Sequence, residues 1–148
     1  MLKIPPPIWM LAYVLIAAGL SYLAGWPRLP GLPFPPLAIA LIVLGVASSV
    51  TAAMLFRRSG AVLNPTAETN PRLVTSGPYR FTRNPMYLGL VLVALGIAFW
   101  VGAWPMFLAP LATFATANWV HIPFEEQRMR QQFGAEFDAF TGKVRRWI

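Results

Sequence analysis

Cysteine is absent from the 148-residue chain, and charged residues make up only 11% of it. Without cysteine there can be no disulfide framework, no thiolate nucleophile and no cysteine-bound metal. His121 is the only histidine, which excludes a histidine-rich metal site. Soluble domains carry about 25% charged residues, so a chain that is 57% hydrophobic is expected to be an integral membrane protein. We expect a single domain over residues 1–148.

Basic residues outnumber acidic ones and give the chain a net charge of +7. Such a charge can indicate nucleic-acid binding, but here the basic residues flank apolar segments. Anionic lipid headgroups are therefore the expected partners, and nucleic acid is not.

Four apolar segments predict an all-α, polytopic membrane protein with four transmembrane helices. The clearest of them, residues 37–56, has 20 residues without a charge, enough to cross about 30 Å of hydrocarbon. The last two segments meet at a very tight turn, residues 102–104, so they should form a hairpin. The second segment has a small-residue face suited to close helix packing, formed by Gly45, Ala47, Ser48 and Ser49. The predicted spans are 7–26, 37–56, 86–104 and 105–121.

The end of the chain, residues 122–148, is more polar and predicts an amphipathic helix on the membrane surface. Glu125 and Glu126 open this helix, where acidic residues suit the helix dipole. Apolar side chains recur at spacings of 4, 4 and 3 and so share one face: Met129, Phe133, Phe137 and Phe140. The chain then ends in a basic and aromatic group typical of an interfacial anchor, made of Lys143, Arg145, Arg146 and Trp147.

The distribution of lysine and arginine predicts how the chain lies in the membrane. Eleven of the 12 such residues lie in the N-terminus, the connection 57–85 and the tail, and only Arg28 lies elsewhere. Because cytoplasmic segments carry the excess of positive charge, both termini and the long connection are expected in the cytoplasm.

The stretch 75–89 holds the densest group of turn signals in the chain. Gly77-Pro78 and Asn84-Pro85 are turn dipeptides, and proline suits the first turn of a helix. The chain is therefore expected to turn sharply at Gly77 and to enter a helix near Pro85. Arg80 and Arg83 would lie at the helix entrance, where free backbone N–H groups favour an anion. They would equally suit a positive-inside anchor.

Polar side chains that could carry chemistry are expected at this same membrane boundary. Arginine can hold a carboxylate through two parallel hydrogen bonds, and glutamate can hold an ammonium group or a ribose diol. The alternative is that the glutamates form only surface pairs, Glu125 with Arg128 or Glu126 with Arg130. The full set is Arg80, Arg83, Asn84, Tyr87, His121, Glu125, Glu126 and Arg128.

Two motifs together resemble the isoprenylcysteine carboxyl methyltransferase family. One is the stretch Ser76–Gly89, and the other runs from His121 to Phe140 and is followed by Val144-Arg-Arg-Trp147. The related phospholipid N-methyltransferases share the four-span plan and the paired glutamates. The resemblance covers about half of the chain, residues 73–148.

This resemblance implies S-adenosylmethionine as methyl donor, bound between the last two spans and the C-terminal segment, with no metal. Asn84 replaces the family's usual histidine, and His121 stands where many relatives have arginine. Phe133-Gly134 and Glu136 match a further family element. The cofactor-binding residues that it implies are Arg83, Asn84, Pro85, Tyr87, Leu88, Gly89, His121, Glu125 and Glu126.

Arg83, His121 and Glu126 are the candidate catalytic residues. Arg83 would orient the acceptor or the carboxylate of the donor. His121 could act as a base when neutral, which predicts activity rising with pH through roughly 6.5. On the resemblance, Glu126→Gln should be more damaging than Glu125→Gln.

The expected reaction is methylation of an amphiphilic or lipid-like acceptor on oxygen, nitrogen or sulfur, at the cytoplasmic face of a bacterial inner membrane. Two other functions fit parts of the sequence. A sterol-reductase-like oxidoreductase would bind a nicotinamide cofactor in a similar C-terminal region. A small four-span transporter would normally carry an ionisable residue inside a span, and the first three predicted spans have none.

Overall fold

The computed structural model describes residues 4–59 and 72–148. Every regular element in these ranges is helical, which agrees with the predicted all-α class. The predicted connection 57–85 and the N-terminal Lys3 lie partly or wholly outside the described residues. The helices are α1 (Pro6–Leu23), α2 (Pro35–Arg58), α3 (Pro85–Val101), α4 (Leu108–Thr116), α5 (Ile122–Phe133) and α6 (Ala135–Lys143).

Two helices, α1 and α2, are long and apolar enough to cross a membrane. At 1.5 Å per residue, the 24 residues of α2 span about 36 Å. Helix α3 is apolar but shorter, with 17 residues. Each of these three helices has proline in its first turn, where the missing N–H leaves no hydrogen bond unmade.

The helix bounds differ from the predicted spans at glycines with positive φ. Helix α1 ends at Leu23 rather than at residue 26, because Gly25 has a φ of 72°. Helix α3 ends at Val101 rather than at residue 104, because Gly102 takes the left-handed conformation. A single 3₁₀ turn, Trp104–Phe107, then leads into α4, so the last apolar segment starts as a tighter helix than expected.

Helices α2 and α3 pack at very short range through glycine and serine. A Cβ added at Gly89 would collide with Ser49 Oγ and with the Gly45 carbonyl. Ser48 and Ser49 donate hydrogen bonds to the carbonyls of Pro85 and Met86, at 3.0 and 3.1 Å. Ala47, predicted on this face, is exposed because it points away from the row formed by positions 45, 48 and 49.

Helices α1, α3 and α4 form a second packed group. Its centre is made almost wholly of small side chains, among them Ala17, Ala98 and Ala109, with Met106 filling the remaining space. Tyr13 and Thr116 join α1 to α4 through a hydrogen bond between their hydroxyls of 2.7 Å. At one end of the group the α1–α2 connection pairs with the α3–α4 turn, through a bridge between Arg28 and Ala103.

The helical backbone continues from α4 into α5, across the boundary predicted between the span 105–121 and the segment 122–148. Residues 117–121 form a π-helical turn, in which the Ile122 N–H bonds to the Ala117 carbonyl. Proline inside a helix cannot donate a hydrogen bond, and its ring crowds the preceding turn. The wider π turn directly before Pro123 accommodates this proline, so α5 extends the path of α4.

The predicted single amphipathic helix at the end of the chain is wrong, because Gly134 divides it into α5 and α6. Gly134 has a φ of 50° and a ψ of −121°, a conformation that only glycine adopts easily. Phe137 on α6 is nevertheless buried, and Phe140 packs against a cluster at the end of α2. The predicted apolar face of the C-terminal segment is therefore packed at least partly against the rest of the protein.

Candidate functional site

The segment before α3 folds as its turn signals predict. Gly77 has a φ of 60° and begins a 3₁₀ turn that ends at Arg80, and α3 begins at Pro85. Asn84 precedes the helix but does not cap it through its side chain. Its amide instead donates to the Arg146 carbonyl at 3.0 Å, so the entrance of α3 is held by the end of the chain.

Three charged side chains, Arg83, Glu126 and Arg146, form what we call the Glu126 network. Arg83 Nη2 lies 2.9 Å from Glu126 Oε1, and Arg146 Nη2 lies 2.6 Å from Glu126 Oε2. Arg83 Nη1 donates to the backbone carbonyls of Thr141 and Val144 at 3.0 and 2.9 Å. The side chains of Arg83 and Glu126 are only 14% and 17% exposed, so this is a largely buried network.

The surface-pair alternative is therefore wrong for Glu126. Its carboxylate lies between Arg83 and Arg146, whereas Arg130 donates to Asp138 at 2.9 Å. That second pair is exposed, at 59% and 56%, which is the setting where ion pairs contribute little.

The last residues, Val144–Trp147, form a segment that we call the C-terminal strap. The Arg146 carbonyl accepts hydrogen bonds from Thr82 Oγ1 and from Asn84, and the Arg145 carbonyl accepts one from the Arg83 backbone N–H. Trp147 Nε1 donates to Asn118 Oδ1 on the π turn at 3.0 Å.

Two residues of the predicted membrane-surface anchor, Arg146 and Trp147, make contacts within the protein. Arg146 is bound to Glu126, and the Trp147 ring packs 4.8 Å from the ring of Phe114. Lys143 and Arg145 are exposed, as an anchor would require. Amino-acid composition does not show which of these residues contact the protein and which are exposed, because the hydrogen bonds that hold the strap are made largely by its backbone carbonyls.

A second group, the Glu125 cluster, consists of Tyr87, His121 and Glu125. The Tyr87 hydroxyl donates to Glu125 Oε1 at 2.6 Å. The Tyr87 and His121 rings are stacked, with centroids 5.9 Å apart and planes inclined by 22°. His121 is 4% exposed, and its Nε2 is buried without a hydrogen-bond partner among the described residues. Buried polar atoms are rarely left unpaired, so this nitrogen is a candidate ligand contact.

The neighbouring glutamates have pKa values shifted in opposite directions. Burial raises the pKa of Glu125 to about 7, and the charge of Glu126 adds to the rise, while Tyr87 and Arg128 oppose it. Burial also opposes ionisation of Glu126, but hydrogen bonds from Arg146 and Arg83 outweigh it and lower its pKa. One carboxylate is thus neutralised by fixed cations, and the other is poised to ionise near neutral pH.

The other predicted site residues lie around these two groups. Pro85 is buried at the start of α3, and Leu88 is half-buried one turn into it. Gly89 faces α2, so helix packing accounts for this glycine. Arg80 is exposed. Among the described residues, no three His, Cys, Asp or Glu side chains come together as a metal site would need.

Comparison with known proteins identifies the family. The phospholipid methyltransferase family model matches residues 35–136, which include both glutamates, His121 and the whole of α3. The chain belongs to this family. The match leaves out α1 and the C-terminal strap, so Arg146 and Trp147 lie outside it.

Plant relatives are similar over different lengths. Two rice proteins, of Oryza sativa subsp. indica and subsp. japonica, are each named Probable protein-S-isoprenylcysteine O-methyltransferase. Each is 36% identical over 83 residues, which are 52% of this chain and 40% of the rice protein. Protein-S-isoprenylcysteine O-methyltransferase B of Arabidopsis thaliana is 27% identical over 144 residues, 90% of this chain and 70% of that protein. The match thus spans less than half the length of the rice relatives.

Family membership favours the methyltransferase interpretation over the oxidoreductase and the transporter. The matched residues include the stretch Ser76–Gly89 and the second motif as far as residue 136. They carry the Glu125 cluster and all of the Glu126 network except Arg146.

Proposed function

We propose that this chain transfers a methyl group from S-adenosylmethionine to an oxygen or nitrogen atom of an amphiphilic, lipid-like acceptor. The observation that carries the proposal is the Glu125 cluster: a half-buried carboxylate beside a buried tyrosine and a buried histidine, at the end of the helix group where α3 begins and α4 ends. An acceptor with a lipid tail could reach such a site from the bilayer, and a polar donor could reach it from the aqueous side.

The residues of the cluster fit the proposed donor. S-adenosylmethionine presents an ammonium group, a ribose diol and a sulfonium cation, all of which suit a carboxylate. A carboxylate offers about four acceptor positions, and Tyr87 occupies one of those on Glu125. We expect Tyr87 and Glu125 to hold the donor, with Asn84, Pro85 and Leu88 forming the adjoining wall.

The donor supplies a methyl group bound to a positively charged sulfur. A nucleophile can attack this methyl carbon in line and displace the sulfur, and the step needs no metal. The chain must then align the two reactants and exclude water, which can lower a barrier by about 7–11 kcal/mol. Trp147 helps to exclude water, because it packs against the cluster of Tyr87, Ala117 and Ile122.

Arg83 and Glu126 fit a positioning role better than direct contact with the reactants. Both terminal nitrogens of Arg83 are already bound, to Glu126 and to two backbone carbonyls. Glu126 is bound by two arginines. Together they fix α5 and the strap against the start of α3. His121, whose Nε2 is unpaired, is the better candidate for contact with the acceptor, as a base or as a hydrogen-bond donor.

We further propose that α3 and α4 cross the membrane as the third and fourth spans, with both termini in the cytoplasm of a bacterial cell. The two ends of the helix group differ in charge in a way that supports this orientation. Arg57, Arg58 and Arg83 lie at the end that holds the site, and Gly77 there contacts Leu55 of α2. At the opposite end, where the α1–α2 connection meets the α3–α4 turn, the described basic residue is Arg28.

Transfer of a labelled methyl group tests the proposed function. Membranes from cells with and without the protein are supplied with methyl-labelled S-adenosylmethionine, and both the organic and the aqueous phases are extracted. We expect protein-dependent label in the organic phase and its loss in Glu125→Gln. Label that appears only in water-soluble small molecules would contradict a lipid-like acceptor.

A further inference from the structure

Two buried polar atoms, one on α1 and one on the π turn after α4, have no hydrogen-bond partner in the part of the chain that the structure describes. One is His121 Nε2, and the other is Trp9 Nε1 on α1. Leaving such groups unpaired costs stability, and native proteins rarely do so without a reason. A third unpaired atom, Arg83 Nε, belongs to the Glu126 network.

Helix packing places these two atoms at the same end of the group. Tyr13 on α1 meets Thr116 on α4, while Ala17 packs near Met106 and Ala109, so the two helices run antiparallel. Trp9 lies four residues before Tyr13, and His121 lies five residues after Thr116. At 1.5 Å per residue, both lie about 6–8 Å beyond the Tyr13–Thr116 contact, in the same direction.

Trp9 does not have the environment of an ordinary interfacial tryptophan. Such a residue keeps its indole N–H among water and headgroups, but Trp9 Nε1 is enclosed by protein although part of the ring is accessible. Trp147 shows the alternative within this chain, because its Nε1 is paired with Asn118. The enclosed Trp9 donor therefore lacks both water and a partner within residues 4–59 and 72–148.

We infer that Trp9 and His121 form a subsite for the headgroup of the acceptor, between α1 and the π turn. An indole N–H only donates, so the group that it binds must carry an oxygen acceptor, as a carboxylate, a phosphate or an ester does. His121 Nε2 can complete the contact as donor or acceptor. This inference rests on the proposed function and assigns α1, which lies outside the family match, a part in choosing the acceptor.

A pair of tryptophan variants tests the subsite. Trp9→Phe keeps the aromatic ring and removes the N–H, and Trp119→Phe makes the same change at a 69% exposed position on the π turn. The acceptor is a dispersed total lipid extract of the expression host. Loss of one hydrogen bond should raise the KM for the extract by roughly 3- to 10-fold in Trp9→Phe. S-adenosylmethionine affinity and the KM of Trp119→Phe should stay within about twofold of wild type. Equal KM values in both variants would overturn the subsite.

A second experiment uses the wild-type protein and needs no turnover. A fatty acid with a diazirine beside its carboxyl group is photolysed with the protein, and the labelled peptides are mapped. We expect labelling within residues 8–16 that excess unmodified fatty acid suppresses. Labelling confined to the exposed face of α2 would contradict the inference. If the wild type transfers no label from S-adenosylmethionine, the proposed function fails, and the crosslink still decides whether the subsite binds such a headgroup.

Discussion

Glu125 and Glu126 are adjacent in the sequence and occupy opposite chemical environments. Glu126 is held by Arg83 and Arg146, and its pKa is lowered. Glu125 is bound by the Tyr87 hydroxyl and is buried enough to raise its pKa to about 7. Successive helical residues point about 100° apart, so one carboxylate faces the strap and the other faces α3. A carboxylate saturated by fixed cations stabilises the fold, whereas one with spare acceptor positions can serve a ligand.

Glu126→Gln should have the largest effect on stability. It removes the charge between two arginines, and breaking a buried ion pair costs about 3–5 kcal/mol. Arg146 is 35% exposed, so we expect a loss near the lower end, roughly 3 kcal/mol. Thermal unfolding in detergent measures it. A variant as stable as wild type, with donor affinity abolished, would instead make Glu126 a cofactor ligand.

Glu125→Gln should leave stability nearly unchanged below pH 4.5, where folded Glu125 is protonated, and should weaken donor binding. Glutamine keeps an oxygen for the Tyr87 hydroxyl but loses the charge that would attract an ammonium or sulfonium group. Hydrogen bonds to charged groups are worth about 1.5–3 kcal/mol, which corresponds to roughly 10- to 100-fold in affinity. Equilibrium dialysis with labelled S-adenosylmethionine gives the change. Unaltered affinity would remove Glu125 from the site.

The pH dependence of stability should separate the two glutamates. Between its ordinary pKa of 4.5 and about 7, folded Glu125 holds a proton that the unfolded chain has lost. Its contribution to stability therefore falls as pH rises through that window. The difference in melting temperature between wild type and Glu125→Gln, measured at each pH, should show this decline. Titration of other groups affects both proteins equally and cancels in the difference. Glu126, whose pKa is lowered, should contribute stability that is lost only as pH falls below 4.5. A flat difference curve between pH 4.5 and 7 would contradict the buried state of Glu125.

Removing the exposed Arg130–Asp138 ion pair should have the smallest effect on stability, and it serves as a control for the other variants. Because both side chains are more than half exposed, Arg130→Ala should cost about 0.2–1 kcal/mol and leave donor binding unchanged. The same unfolding and dialysis measurements apply. A loss as large as that of Glu126→Gln would mean that burial does not distinguish these ion pairs.

The parts of the fold that follow local rules could be predicted from the sequence. The apolar runs predicted α1 and α2, and glycine and proline predicted the turn at Gly77 and the start of α3 at Pro85. The two motifs also placed Arg83 and Glu126 at a common site, and the structure pairs these two side chains.

The remaining features depend on contacts that no local pattern encodes. The π turn before Pro123 lies where the chain continues as a helix across the predicted boundary between the last span and the polar segment. The strap is bound through backbone carbonyls, which every residue has, so its composition predicted a surface anchor instead. The different environments of Glu125 and Glu126 depend on Tyr87 and Arg146, which lie 38 and 20 residues away in sequence.

Calorimetric titration of the purified wild-type protein with S-adenosylmethionine tests the central claim most directly. We expect saturable binding of S-adenosylmethionine and of its demethylated product, and no binding of reduced nicotinamide dinucleotides. Binding of the nicotinamide cofactor without binding of S-adenosylmethionine would contradict the account.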